Sequence, residues 1–120
     1  MLDFHYKTLG ENDEILLFVL SGNLDTAQCE YLYNVIGKEI RKGQEKLILD
    51  CSDLGYVSSM GLAMMLRVHA KMKKIGGDVK LTGITGTVAD VIRLVKLDRI
   101  LNIYDSVEEA TESIDSENSE

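Results

Sequence analysis

The hydrophobic positions at the start of this 120-residue chain follow the pattern of two consecutive strands. Residues 2–9 predict a first strand with Phe4 and Tyr6 on one face, because alternate residues of a strand point to the same side. Turn residues follow at 10–13, where glycine and asparagine accept a positive φ. The uninterrupted apolar run from Ile15 to Leu20 predicts a strand that is buried on both faces. Together these segments predict an N-terminal hairpin.

The next hydrophobic pattern has the period of a helix. Asp25, with a glutamine three positions later, is typical of a capping box and predicts a helix from Thr26 to about Lys42 that stops at Gly43. Residues 21–24, between the strand and this helix, are predicted to form a loop. The inward face of the helix is spaced three or four residues apart and consists of Cys29, Leu32, Ile36 and Ile40.

Three further short apolar runs, at residues 47–49, 79–82 and 100–103, predict strands that alternate with helices. The resulting order, β-β-α-β-α-β-α-β-α, predicts an α/β fold with a mostly parallel or mixed sheet of about five strands and about four helices. We expect a single domain over residues 1–114, followed by an acidic polar tail over residues 115–120.

Capping patterns and apolar periodicity place the remaining helices. A second helix is predicted after a loop from Cys51 to Ser58. Thr87 and Ser106, each with an acidic residue three positions later, predict the starts of a third and a fourth helix. The predicted apolar faces of the second and third helices consist of Leu62, Met65, Leu66, His69 and Met72, and of Val88, Val91, Ile92 and Val95.

The charge of the chain restricts its partners. The formal net charge is −7, which argues against nucleic acid or an anionic membrane surface, since both favour clusters of Lys and Arg. The longest apolar run, Ile15 to Leu20, is far shorter than the roughly 20 residues that cross a bilayer. Residues 1–5 lack the pattern of a secretory signal, so we expect the protein to act in the cytoplasm.

The side chains that usually carry catalysis are sparse. Cys29 and Cys51 are expected to be reduced, and His5 and His69 lie near no cluster with metal-ligand spacing, so neither a metal nor a cofactor is expected. The chain has no glycine-rich phosphate loop and no nucleophile elbow. The sequence therefore predicts no catalytic residue, and an enzyme is the least favoured of the three hypotheses considered for its function.

Two adjacent serines are the most informative feature of the chain. Ser58 and Ser59 lie where the second helix is predicted to begin, and either can cap it by accepting a backbone N–H bond that stabilises the helix by about 0.5–2 kcal/mol. Met60 and Met64 follow near the helix start, where we expect them to be hard to bury and to form an adaptable contact surface.

The segment around these serines resembles the STAS domain family. Residues 50–62 are similar to its pattern of an Asp at a strand end, then a hydrophobic residue beside an aromatic one, and then Asp-Ser-Ser-Gly-Leu. Residues 22–25, Gly-Asn-Leu-Asp, resemble the family's Gly-Glu-Leu-Asp loop. Residues 73–77 are similar to its second helix ending, and 84–88 with 97–101 to its third helix and last strand. The resemblance extends along nearly the whole chain, and it is to the anti-sigma factor antagonist type of this family.

The resemblance implies a role in partner switching. Such an antagonist binds an anti-sigma factor that is a serine kinase. The kinase phosphorylates a serine at the start of the second helix, and a serine phosphatase reverses the reaction. Aligned on Gly61, the matching serine is Ser59, with Ser58 as the less favoured position. Two residues differ from the family pattern: Ser58 replaces its Asp, and Met60 replaces its second serine.

The resemblance also implies a partner-binding surface at this place in the fold. Two residues expected at this surface also have a purely structural explanation. Asp25 can be a helix cap, and residue 61 can be glycine because the helix start packs tightly. A second hypothesis is a STAS module that binds a protein or a small ligand without phosphorylation. The sequence leaves the oligomeric state open. The residues expected to contact the partner are Leu24, Asp25, Ser58, Ser59, Met60, Gly61 and Met64.

Overall fold

Five strands and four α-helices alternate after an N-terminal hairpin, as the sequence predicts. The computed structural model describes residues 2–118, with side chains described up to residue 115. In chain order the elements are β1 (Leu2–Leu9), β2 (Ile15–Leu24), α1 (Thr26–Arg41), β3 (Lys46–Val57), α2 (Ser59–Lys74), β4 (Asp78–Thr82), α3 (Gly86–Leu94), a 3-10 turn (Leu97–Arg99), β5 (Asn102–Tyr104) and α4 (Val107–Asn118). The predicted order of elements is confirmed.

The strands form one mixed sheet in the order β1-β2-β3-β4-β5. β1 is antiparallel to β2, in a register that pairs Leu2 with Gly22 and Leu9 with Ile15. The other three pairs of neighbouring strands are parallel. The predicted hairpin and the mostly parallel sheet are therefore both confirmed, and β1 and β5 are the two edges of the sheet.

Helices cover both faces of the sheet. The larger core lies between the sheet and the helices α1, α2 and α3, and Leu16, Phe18 and Leu20 of β2 point into it. On the opposite face, α4 packs through a smaller core of Ile15, Leu17, Ile48, Ala110 and Ile114. Successive residues of β2 thus enter different cores, which explains why this strand is apolar at every position from 15 to 20.

α1 follows its predicted bounds but not its predicted capping box. The predicted inward face, Cys29, Leu32, Ile36 and Ile40, is buried. Asp25 occupies the N-cap position with an extended backbone, but its side chain makes no capping hydrogen bond. Gln28, the other half of the predicted box, instead accepts a hydrogen bond from the backbone N–H of Leu2 at 2.6 Å. The capping box is wrong because β1 supplies a competing donor.

β2 and β3 are both longer than predicted. Residues 21–24 and most of residues 51–58, predicted to be loops, are strand and pair with each other through an irregular register from Ser21 with Asp53 to Leu24 with Val57. Each extension gives the other its hydrogen-bonding partners, so polar residues that would form a loop in isolation remain extended. The pair carries Leu24 and Val57 to the point where α1 and α2 begin.

The buried face of α2 is rotated from the predicted one. Gly61, Met64, Met65, Val68 and Met72 are buried, with the three- and four-residue spacing of one helix face. Of the predicted face, only Met65 and Met72 are buried, whereas Leu62, Leu66 and His69 are partly exposed. The two faces differ because Gly61 packs against Leu24 and Val57, so that Met64 and Val68, which the predicted face leaves out, lie in the core.

The C-terminal elements differ slightly from their predicted bounds. α3 begins at Gly86 with Thr85 at its N-cap, so Thr87 lies inside the first turn and does not cap the helix. Residues 97–99 form a 3-10 turn, which shortens β5 to three residues. The predicted cap of α4 is confirmed, since the Ser106 hydroxyl accepts the N–H of Glu109 at 3.1 Å. α4 continues through Asn118, across the predicted start of the tail, and residues 119–120 lie outside the described part.

Candidate functional site

The two predicted serines lie where β2 and β3 end side by side. The backbone N–H of Ser58 donates a hydrogen bond to the carbonyl oxygen of Leu24 at 2.9 Å, which joins the two strand ends. α1 begins immediately after one strand end and α2 immediately after the other. The parallel pairing therefore brings residues 24–25 and 58–61, which are distant in the sequence, together at the carboxyl ends of these two inner strands.

Ser58 is the N-cap of α2. Its backbone is extended, and its side-chain oxygen accepts a hydrogen bond from the backbone N–H of Gly61 at 3.0 Å. The hydroxyl also interacts with the thiol of Cys29, whose pKa is raised by burial, an effect that this hydrogen bond partly offsets. Ser58 is partly buried. Its hydroxyl therefore already has a structural role in the fold.

Ser59 differs from Ser58 in both its exposure and its hydrogen bonding. It is the first residue of α2 and is exposed, and its hydroxyl makes no hydrogen bond to any described residue. Met60 follows it and is 48% exposed. The structure thus gives the two serines distinct environments: Ser58 stabilises the helix, and Ser59 lies open to solvent beside an apolar side chain.

Gly61 lies beneath this surface, where no side chain fits. A Cβ atom at this position would lie 2.9 Å from the carbonyl oxygen of Leu24 and 2.9 Å from Cγ1 of Val57. Real Cβ atoms essentially never approach another atom so closely. The tight-packing explanation for this glycine is confirmed: its absent side chain lets α2 approach the ends of both strands.

The structure contradicts two of the predicted contact residues. Leu24 is fully buried, and Met64 is only 1% exposed. β2 extends to Leu24 and directs its side chain beneath the first turn of α2, whereas Met64 lies on the rotated buried face of that helix. The prediction that these two side chains form exposed contacts is therefore wrong. Both residues support the surface from within the core.

Asp25 is a partly buried carboxylate beside the start of α2. Its carbonyl oxygen accepts a hydrogen bond from the Cys29 thiol at 2.9 Å, and Cys29 in turn interacts with Ser58. Oδ1 of Asp25 is buried and has no hydrogen-bond partner among the described residues. The position is that of a helix cap, but the capping hydrogen bond predicted as its structural role is not formed.

One exposed residue near the serines was missed by the sequence analysis. Tyr56 is 50% exposed, and it pairs with Asn23 on β2 two residues before Ser58. Alternation along a strand could not have indicated it, because burial in β3 after Cys51 recurs every third residue. Tyr56 and Met60 therefore provide exposed apolar surface on both sides of the serine pair in the sequence.

The described residues include no group of histidine, cysteine and acidic side chains that could hold a metal ion.

Cys51 is buried, and burial raises the pKa of its thiol to about 12, which keeps it protonated and unreactive near neutral pH. His69 is half-buried. An open cleft of about 540 Å³ lies between α3 and β5, and none of the predicted site residues lines it. The arrangement at the start of α2 is suited to binding and to modification of a hydroxyl.

Comparison with known proteins identifies the family. Residues 6–110 match the model of the STAS domain. A Bordetella bronchiseptica protein, BtrV, which carries the name of an anti-sigma factor antagonist, is 27% identical over 103 residues that cover 86% of this chain and 89% of BtrV.

Solved structures agree with this similarity. The crystal structure of a Thermotoga maritima protein, described as an anti-sigma factor antagonist, superposes with a TM-score of 0.85 at 27% identity and covers 92% of each chain. The phosphorylated form of the Bacillus cell fate determinant SpoIIAA has the same fold, with a TM-score of 0.72 at 23% identity over 95% of this chain and 98% of SpoIIAA. Within the described residues, no helix has both the length and the apolar character needed to span a membrane. The chain belongs to the STAS domain family, and within it is similar to the anti-sigma factor antagonists.

Proposed function

We propose that this protein is an anti-sigma factor antagonist whose binding to its partner is controlled by phosphorylation of Ser59. The partner is an anti-sigma factor that is also a serine kinase, and a serine phosphatase restores the binding form. The observation that carries the proposal is the free, exposed hydroxyl of Ser59 at the first position of α2, next to a serine that supplies the helix cap. We assign the protein no catalytic residue, and its action takes place in the cytoplasm.

The helix start can hold a phosphate without loss of the fold. A phosphoserine carries about −1.5 to −2 charges and strong acceptor oxygens. Backbone N–H groups at a helix N-terminus are free to donate, and the helix dipole favours negative charge there. Because the cap already comes from Ser58, a phosphate on Ser59 replaces no hydrogen bond within the described residues. The modification therefore acts at the surface and leaves the core unchanged.

The same charge weakens a docked complex. A partner that covers Ser59 and Met60 would have to remove the phosphate from water, at the same strand ends that hold Asp25, whose buried Oδ1 has no hydrogen-bond partner among the described residues. A loss of about 1.4 kcal/mol of binding free energy lowers affinity tenfold. A single phosphate in the contact surface is therefore expected to lower the affinity for the partner by at least tenfold.

The contact surface in this proposal consists of the exposed residues around Ser59. Met60 contributes an adaptable apolar side chain, and Tyr56 contributes an aromatic one. Asp25 and Ser58 lie at its edge and are partly buried. Leu24, Gly61 and Met64 determine where α2 begins and do not touch the partner.

The experiment is phosphorylation by the cognate kinase with ATP, followed by location of the phosphate by mass spectrometry. The wild type and the matched control Ser58→Ala are expected to carry one phosphate at Ser59, whereas Ser59→Ala carries none. Phosphate at Ser58 in the wild type, or its absence from both serines, would overturn the proposed control by Ser59.

A second candidate is a STAS interaction module that binds its partner constitutively or binds a small ligand. It is favoured by the two departures from the family pattern, Ser58 and Met60, and by the separate cleft of about 540 Å³ between α3 and β5. Ser59→Ala and Ser59→Asp distinguish the two functions. Equal affinity of both variants for the anti-sigma factor supports the constitutive module, and a tenfold or larger loss in Ser59→Asp supports the switch.

A further inference from the structure

β1 is an eight-residue edge strand whose outer side is open. It pairs with β2 on one side only, because it is the first strand in the order of the sheet. Residues 3 and 5–8 are exposed. The outer backbone N–H and C=O groups of such a strand can pair with another strand, apart from the N–H of Leu2, which is bound to Gln28. The length of β1 distinguishes it from β5, the opposite edge, which has three residues.

Two opposite charges lie on this edge without an ion-pair partner among the described residues. Asp3 and Lys7 are exposed, and neither forms an ion pair with a described residue. They are four positions apart on the same face of the strand, with His5 midway between them. On the other face, Phe4 and Tyr6 are likewise placed symmetrically about His5. Two copies of the strand, placed antiparallel and centred on His5, therefore bring opposite charges together on one face and aromatic residues together on the other.

We propose that β1 pairs in antiparallel fashion with β1 of a second copy of this chain, about a two-fold axis at His5. In this register Asp3 faces Lys7 of the second copy, and Lys7 faces its Asp3, so each dimer contains two opposite-charge pairs. Residues directly opposite on antiparallel strands have Cβ atoms about 4.5–5.5 Å apart, which is close enough for these pairs to interact. The two sheets become one continuous sheet.

The aromatic face supports the same register. Tyr6 is 43% exposed and stacks on Phe18 with ring centroids 4.6 Å apart. Phe4 contacts Phe18, and also Tyr31 of α1 at 5.8 Å between centroids. About an axis at His5, Phe4 lies opposite Tyr6 of the second copy. Cross-strand aromatic pairs stabilise sheets, so both faces of the strand favour the same alignment.

Neighbouring registers lose this complementarity. An axis at Phe4 places Asp3 opposite His5 and leaves Lys7 unpaired, whereas an axis at Tyr6 places Lys7 opposite His5 and Asp3 opposite an apolar residue. The axis at His5 therefore satisfies both charges. Since a single strand edge buries less area than a standard stable interface, the association is weak and depends on concentration. The inference uses no residue of the proposed switch and is independent of it.

Charge reversal tests the proposal in solution. Wild-type protein is expected to show concentration-dependent dimerisation in sedimentation velocity. Lys7→Asp and Asp3→Lys each place like charges opposite one another, and each variant alone is expected to dimerise on the order of tenfold more weakly. An equimolar mixture of the two variants restores opposite charges across the axis and is expected to associate as strongly as the wild type.

A cysteine on the axis tests the register directly. His5→Cys lies opposite itself in the dimer and is expected to form an intermolecular disulfide on oxidation, while the native thiols of Cys29 and Cys51 are buried. The matched control Lys7→Cys lies about 13 Å along the strand from its counterpart and is expected not to cross-link. Circular dichroism verifies that each variant is folded.

Three outcomes would overturn the proposal. The first is a wild type that stays monomeric at every concentration, and the second is a pair of charge variants whose mixture associates no better than either alone. The third is efficient cross-linking of Lys7→Cys without that of His5→Cys, which would indicate a different register or a different partner surface.

Discussion

The hydrogen bond from the backbone N–H of Ser58 to the carbonyl oxygen of Leu24, 2.9 Å long, connects the start of α2 to the end of β2. The same carbonyl oxygen lies 2.9 Å from where a Cβ on Gly61 would be. One backbone group of β2 therefore both joins β3 to β2 and limits the size of the residue in the first turn of α2.

The close contact predicts a large effect of Gly61→Ala. The added methyl group would overlap backbone as well as the Val57 side chain, so we expect a loss of about 1–3 kcal/mol in the free energy of unfolding. Gly55→Ala is the matched control, because its nearest neighbour would lie at 3.8 Å, an ordinary contact. Urea unfolding measures both. Equal stability of Gly61→Ala and the wild type would contradict the proposed packing.

The two serines are expected to differ in their contribution to stability. Ser58→Ala removes the capping bond to the N–H of Gly61 and is expected to lower the free energy of unfolding by about 0.5–2 kcal/mol. Ser59→Ala removes no hydrogen bond to a described residue and is expected to change it by less than about 0.5 kcal/mol. Thermal unfolding of both variants at one pH measures the difference. A greater loss in Ser59→Ala would show that the assignment of the cap is wrong.

An ion pair between the buried Lys80 and the partly exposed Asp78, on the α4 face, predicts a strong effect of Asp78→Ala. Lys80 is 2% exposed and binds Asp78 at 2.8 Å, and Asn102 donates a second hydrogen bond to the same carboxylate. Removal of Asp78 leaves a buried cation with one partner fewer, so we expect a loss on the order of 3 kcal/mol in the free energy of unfolding.

The control for this prediction is an exposed ion pair. Asp90 binds Arg93 at 2.7 Å, with side chains that are 73% and 63% exposed. Asp90→Ala is therefore expected to change the free energy of unfolding by less than about 1 kcal/mol. Urea unfolding of the two variants in parallel tests the comparison, and similar losses in both would indicate that Asp78 contributes little to the core.

Burial of Cys51 predicts a decrease of stability at alkaline pH. The folded state keeps the pKa of this thiol at about 12, above its ordinary value of 9.0. Below the ordinary value both states are protonated and the thiol has no effect on stability. As the pH rises from 9.0 towards 12, the unfolded chain loses the proton first, so the free energy of unfolding falls by up to about 1.4 kcal/mol per pH unit.

The measurement is urea unfolding between pH 8 and pH 10.5, compared with Cys51→Ala. The variant is expected to be less stable at pH 8, because it leaves a cavity, but to lose stability less steeply as the pH rises. In the native wild type at pH 8, neither buried cysteine should react quickly with a thiol reagent, and both should react after unfolding. Rapid labelling of the native protein would contradict the buried environment of both thiols.

The sequence by itself determined the elements whose signals are local. The bounds of β1 and of α1, and the buried face of α1 from Cys29 to Ile40, were predicted correctly because each depends on periodicity within one segment. The cap at Ser106 was predicted correctly for the same reason. The α/β fold followed from the order of the elements, and the resemblance around the serine pair indicated the family.

The tertiary structure alone decided how these elements meet. β2 and β3 extend to Leu24 and Val57 because each strand completes the hydrogen bonds of the other, and no local pattern contains that information. Their meeting point buries Leu24 and Met64, which the sequence pattern places among the residues that contact a partner. It also makes Ser58 the cap and leaves Ser59 free, a distinction between two identical neighbouring residues that only their three-dimensional surroundings can make.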